Sequence, residues 1–189
     1  MIKVGLVGED PNDTLSIKNL LEKRYSQRVQ FIQLVRGIKA YNLDAGKIKR
    51  TLPIEFADKK CKWIVFIRDL DALKSNIEEL DKRIKWFKEL DALVKNKGIL
   101  LLNIWELEAL ILGDITTFNK EYKINYRFTG NPTTQKEPKE ILKRKTFHSY
   151  KQFKESHCPD IFKLLDIDLV EKNCSCFKDF IDEFDKKIA

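Results

Sequence analysis

An α/β fold built on a mostly parallel sheet is predicted by three observations. Apolar, β-type runs recur at Ile2–Val7, Trp63–Ile67 and Gly98–Asn103. Helical apolar stripes lie between them, and each run is followed closely by acidic residues: Gly8-Glu9-Asp10, Asp69-Leu70-Asp71, and Glu106 with Glu108. Buried parallel strands read as continuous apolar runs, and alternation with helices implies βαβ units. The carboxyl ends of such strands share one edge, where α/β proteins bind their ligands.

The elements follow in order. Ile2–Val7 reads as a buried strand. Thr14–Tyr25, with Leu15, Ile17, Leu20 and Leu21, is close to a helical stripe, and Asp13 is the expected cap. Arg28–Val35 alternates as a second strand, while Arg36–Lys60 has too weak a period to assign. Trp63–Ile67 is the clearest central strand, all apolar and mostly β-branched or aromatic. Ile77–Val94 repeats apolar residues at Ile77, Leu80, Ile84, Phe87, Leu90, Leu93 and Val94 and predicts an amphipathic helix. Gly98–Asn103 rebuilds a strand, and Glu106–Leu112 predicts a short helix ending at Gly113. Residues 1–118 are expected to form the core, and residues 119–189 a basic segment and helical tail packed on it.

Composition excludes several classes. With 189 residues, 43% of them hydrophobic, the chain can bury a core, and seven Gly and five Pro leave no linker-like tract. Met1-Ile2-Lys3-Val4 enters a strand without the features of a signal peptide, and no apolar run approaches the roughly 20 residues that cross a bilayer. A soluble, cytoplasmic protein is the expectation. Cys61, Cys158, Cys174 and Cys176 form no Cys-x-x-Cys pair and read as free thiols; a zinc site from His157, Cys158, Cys174 and Cys176 would need tighter spacing than structural zinc usually has.

The chemistry-bearing residues are the strand-exit acids. Residues i and i+2 of an extended segment face the same way, so Asp69 and Asp71 would reach one ion, with Glu9 from the first strand exit and Glu106 or Glu108 from the third. Oxygen donors of this kind suit Mg²⁺ or Mn²⁺. The alternative is turn and cap chemistry, with Asp71 capping the next helix. Neither a Gly-Lys-Ser/Thr phosphate loop nor a Gly-x-Gly-x-x-Gly turn is present.

Net charge is +7, from 36 Lys and Arg against 29 Asp and Glu. Between Asn119 and Lys154, lysines and arginines including Lys139, Lys143, Arg144, Lys145 and Lys151 interleave with Tyr122, Tyr126, Phe128, Phe147, Tyr150 and Phe153. Cations that neutralise phosphates and rings that stack on bases together predict a nucleic-acid face, set against a solvated basic surface with its rings turned inward.

Val7-Gly8-Glu9, Asp69-Leu70-Asp71, Glu108-Ala109-Leu110-Ile111-Leu112-Gly113-Asp114 and Cys174-Ser175-Cys176-Phe177 together resemble the TOPRIM family, in particular small stand-alone bacterial TOPRIM-like proteins often encoded beside ATPases. Asp10 stands where that family usually has Gly, and Leu110 where it has Trp. The resemblance implies a Rossmann-like sheet and a metal-dependent nuclease acting on RNA or DNA. Asp69 and Asp71 would hold Mg²⁺ or Mn²⁺, Glu9 would be a further ligand or the group that moves a proton, and Glu106 or Glu108 would complete the shell. Lys145 or Lys151 would stabilise developing charge. It also implies an ATPase partner and a defence or toxin role. Two other readings are a catalytically silent TOPRIM subunit that binds nucleic acid or an ATPase, and a receiver domain phosphorylated at Asp69. Against the receiver stand the long interval from Glu9 to Asp69 and Ile104-Trp105 in place of the Thr or Ser expected after the fourth strand.

Overall fold

The computed structural model describes residues 1–35 and 46–189. Four strands, β1 (Ile2–Val7), β2 (Val29–Gln33), β3 (Trp63–Asp69) and β4 (Gly98–Asn103), form one sheet in the order β2-β1-β3-β4. All three pairings are parallel, with Val4 beside Phe31 and Trp63, and Asp69 beside Asn103. The order reverses between β1 and β3, which makes their carboxyl ends the switch point of the sheet.

The crossovers sort the helices onto two faces. α1 (Pro11–Tyr25) returns the chain from β1 to β2 on one face, while α2 (Gly46–Asp58) and α3 (Ile77–Leu93) carry it to β3 and β4 on the other, as right-handed connections require. On the α1 face, Leu6, Val65, Ile67 and Leu101 pack with Ile17, Leu20 and Tyr25 in a large apolar cluster. The α3 face is smaller, with Ile64, Phe66, Ile48, Leu52 and Leu90 at its centre. Gly98 begins β4 where Phe66 and Phe87 come within 2.9 Å of any added Cβ, so this close packing requires a glycine-sized residue.

Beyond β4 lie α4 (Ala109–Gly113), α5 (Ile115–Tyr122), α6 (Pro138–Lys145), α7 (Cys158–Leu164), α8 (Ile167–Asn173) and α9 (Ser175–Ile188). Phe118, Tyr122, Phe153, Phe162, Phe177 and Phe184 from this half join the α1-face cluster, so the tail is an integral cover of the sheet. Asn19 on α1 donates to the Pro159 carbonyl of α7 at 2.7 Å, tying the two halves together. Among the described residues, no helix is long and apolar enough to cross a membrane.

Several boundaries differ from the sequence reading. Asp10, not Asp13, caps α1; its carboxylate accepts the Asn12 N–H, and Asp13 reaches back to the Asp10 N–H in a capping box. α3 is capped by Asn76 rather than Asp71. The short helix after β4 begins at Ala109, leaving Glu106 and Glu108 in the turn before it. Of the unassigned stretch, 46–58 is helical, and residues 36–45 lie outside the described residues.

Candidate active site

Strand alternation at the end of β3 places Arg68 toward α3 and Asp69 toward α1. Arg68 is only 5% exposed, lies 4.8 Å over the Trp86 ring, and pairs with Glu9 at 2.5 Å. Asp69 faces the other way; its Oδ1 accepts the Asn103 amide at 2.9 Å, a contact set by the β3–β4 register. Glu9 lies beside the Asp69 backbone, with its charge held on the α3 side by Arg68.

The alternation stops there. Asp71 has a left-handed backbone with φ 57°, so it does not share the face of Asp69 as an extended Asp-x-Asp would. Its side chain is 61% exposed and pairs at 3.0 Å with Arg83 of α3, whose Nε donates to the Asp69 carbonyl. Trp105, at φ 63°, is left-handed too, and the two strand exits stay bonded past the sheet: Leu70 N–H to Asn103 O, Asp71 N–H to Trp105 O, Trp105 N–H to Ala72 O. Glu106 is turned away as well. Its carboxylate takes the Lys139 ammonium at 3.2 Å and the Lys139 N–H at 3.3 Å, anchoring the start of α6.

The acids are therefore sorted by face. Glu9 and Asp71 meet Arg68 and Arg83 on the α3 side. On the α1 side, Asp13, Asp69 and Glu108 feel one another's charge, and none of them makes an ion pair with a basic side chain among the described residues. Burial pushes the Asp69 carboxyl well above its usual range; Asp13, Glu108 and Glu9 raise it further, against the Asn103 hydrogen bond. Burial and the charges of Glu108, Asp10 and Glu9 push Asp13 up to about 7. Glu108, 7% exposed, is also pushed up to about 7, by burial and by Glu106. Glu9 is raised by burial, with Arg68 opposing.

A pH dependence follows. A carboxyl whose folded pKa lies above its unfolded value holds a proton that the unfolded chain has released, so stability falls as pH rises from about 4.5 to about 7 and then levels off. Glu108→Gln removes this loss. In metal-free solution the variant is expected to exceed the wild type by about 2–3 kcal/mol at pH 8 and to match it near pH 4, as urea unfolding would measure. An equal difference at both pH values would show that folding does not raise the Glu108 pKa.

The oxygen donors on the α1 side fit a hard divalent ion in kind: carboxylates, Glu108 buried and Asp13 and Asp69 half-buried, with no ion pair among the described residues. As the side chains stand, no three His, Cys, Asp or Glu groups among the described residues are gathered tightly enough to hold one. The four cysteines are free; Cys158 Sγ lies 3.8 Å from Glu108, and Cys174 points to the Ala109 carbonyl.

The basic segment is less uniform than its composition implied. Lys139 pairs with Glu106 and Glu155, Lys143 with Glu140 and Glu155, and Lys151 with Glu121. Lys145 sits 4.6 Å over the Tyr126 ring. Tyr122 and Phe153 are core residues, whereas Phe147 and Tyr150 are 63% and 64% exposed. Phe147 lines an open cleft of about 550 Å³ with Lys143, Arg144, His148 and Gln152.

A family model described as Domain of unknown function (DUF4276) matches residues 8–185. The chain belongs to this family. The DUF4276 match begins at the exit of β1 and ends inside α9, so one family unit spans the sheet, the acids and the tail. No curated protein and no solved structure matches the chain. In this DUF4276 chain, Asp69 and Glu108 of the sequence-derived set lie on the α1 side, whereas Glu9, Asp71 and Glu106 are held by Arg68, Arg83 and Lys139. Asp13, Asn103, Arg68 and Arg83 complete the site. Asp13 was visible only as a cap, and nothing in the local sequence marks the other three.

Proposed function

We propose that the chain is a TOPRIM-like, divalent-metal-dependent nuclease that hydrolyses phosphodiester bonds in RNA or DNA. The observation that supports this most is the set of carboxylates on the α1 side of the switch point, where Asp13 and Glu108 raise the Asp69 carboxyl and none of the three forms an ion pair among the described residues. Asp69, Asp13 and Glu108 would hold Mg²⁺ or Mn²⁺, with Glu9 adjoining. This moves the centre away from the Asp69–Asp71 pair expected from spacing. Bound there, the ion would favour charge on the phosphoryl oxygens and make water more acidic.

The chain's own groups have distinct tasks. Asn103 fixes the Asp69 carboxylate, and Arg68 fixes that of Glu9. Glu9, adjoining the ion, would take a proton from attacking water. Arg83, already bonded to Asp69 O and Asp71, has further N–H donors for a phosphate. Arg144 and Lys145 at the end of α6 would hold the nucleic-acid backbone, and the exposed Phe147 and Tyr150 rings would stack on unpaired bases. Lys139, Lys143 and Lys151, engaged by acids, would contribute less. The partner ATPase implied by the resemblance belongs to the same proposal.

A second reading is favoured by one observation: Arg68 and Arg83 already neutralise Glu9 and Asp71, as in a site that binds without catalysis. Incubation with end-labelled single-stranded RNA, single-stranded DNA and duplex DNA separates the two. Cleavage of any substrate in Mn²⁺, abolished by EDTA, is the expected result. Binding without cleavage in either Mn²⁺ or Mg²⁺ would overturn the nuclease and leave the silent subunit.

A further inference from the structure

The amino ends of the four strands share the opposite edge of the sheet, and there the lysines gather. Lys3 of β1 lies next to Lys62, which enters β3, and Lys97 enters β4; the Lys62 N–H bonds to Lys3 O, and the Ile64 N–H to Lys97 O. Lys187 from α9 joins them. The ammonium groups of Lys97, Lys187 and Lys62 stand 4.8, 4.9 and 6.0 Å from the centre of the Trp63 ring. Lys59 and Lys60 follow α2 on the approach to the same edge. None of these six lysines makes an ion pair among the described residues. Asp91 accepts the Gly98 N–H and Asp185 the Tyr25 hydroxyl, and neither forms an ion pair with these lysines among the described residues.

We infer that this edge is a second, non-catalytic binding site for the phosphate backbone of nucleic acid. Three ammonium groups around one indole repel each other, and a polyanion that replaces their counterions relieves that repulsion. Lys3 in β1 and Lys62 and Lys97 just ahead of β3 and β4 stand at the heads of three adjacent strands, whose backbones span about 10 Å, the rise of about three phosphates along one duplex strand. A protein partner fits less well, because protein interfaces are depleted in lysine and rely on aromatic and Arg anchors. The strands are about 20 Å long, well beyond the Debye length of about 8 Å, so the acids at the far edge do not cancel this field.

The site does not depend on the nuclease proposal, and its test excludes cleavage. Binding of a short fluorescein-labelled duplex is measured in EDTA across a salt series, for the wild type and the triple variants K62Q/K97Q/K187Q and K62R/K97R/K187R. The Gln triple variant is expected to bind about tenfold to thirtyfold more weakly at physiological salt, with the log–log salt slope reduced by roughly 2 to 3. The Arg triple variant should bind like the wild type. Unchanged affinity and slope in the Gln triple variant would overturn the site. So would an Arg triple variant as weak as the Gln one, which would trace the loss to altered packing around Trp63. Loss by the Gln variant of binding to phosphatidylserine vesicles alone, with duplex binding intact, would assign the edge to a membrane surface instead.

Discussion

Asp69→Asn is expected to abolish metal-dependent cleavage, with a loss of at least about 10²–10³-fold, while making the metal-free protein more stable. Both effects come from one charge. The carboxylate is the central donor of the proposed site, and losing it removes charge stabilisation that the remaining residues cannot replace. In the metal-free state the same charge is buried among Asp13, Glu108 and Glu9, which is why its pKa is raised. Asparagine keeps an oxygen to accept the Asn103 amide at almost the same volume, so the fold gains what the site loses. The sign with pH is fixed. A raised carboxyl destabilises the folded chain only where the unfolded chain would be ionised, so the rise in melting temperature should be present at pH 8 and absent at pH 4. Mn²⁺ should stabilise the wild type and leave the variant unmoved. Cleavage at the wild-type rate by Asp69→Asn would end the nuclease assignment, whatever the melting curves show.

Arg68→Met is expected to be the most damaging single change to stability, costing about 3 kcal/mol at pH 8. Its guanidinium is almost wholly enclosed between the Trp86 ring and the Glu9 carboxylate. Removing one member of a buried pair leaves the other charge without compensation, a loss of about 3–5 kcal/mol in general, and Glu9 is not completely enclosed. Methionine keeps an apolar stem against Trp86, so the charge is the main thing lost. Two controls separate the pair from simple packing. The deficit should shrink at pH 4, where Glu9, already raised by burial, takes a proton. The double variant Glu9→Gln with Arg68→Met should recover much of it, because no orphaned carboxylate remains. If the double variant is as unstable as Arg68→Met alone, the stack on Trp86 and not the ion pair is what Arg68 contributes.

The sheet was legible because parallel strands buried on both faces are written as uninterrupted apolar runs, and Ile2–Val7, Trp63–Ile67 and Gly98–Asn103 are such runs. The same runs located the site, since Glu9 and Asp69 must lie at adjacent strand ends once β1 and β3 pair. What failed did so for physical reasons. The Asp-x-Asp argument assumed extended backbone through residue 71, and one left-handed residue moved Asp71 to the other side. Asp10 and Asp13 are equally good caps by type, so sequence could not tell which would also face Asp69. Asn103 acquires its role from strand register, Arg83 from the placement of α3. Counting lysines between 119 and 154 overstated free charge, because Glu106 and Glu155, both outside that window, come back to neutralise Lys139 and Lys143. The lysines of the opposite edge are scattered from residue 3 to residue 187, and only the folded sheet assembles them.

The hydrogen bonds that continue between the exits of β3 and β4 past the last sheet residues make those two loops mechanically a single part. Leu70, Asp71 and Ala72 are bonded to Asn103 and Trp105, so the segment that ends in Asp71 cannot swing out without dragging the one that leads to Glu106 and Glu108. Left-handed conformations at both Asp71 and Trp105 remove the slack a loop would otherwise have, since bulky side chains have few alternative backbone states near φ 60°. A ligand that pulls on Asp71 through Arg83 therefore pulls on the start of α6 through Glu106 and Lys139.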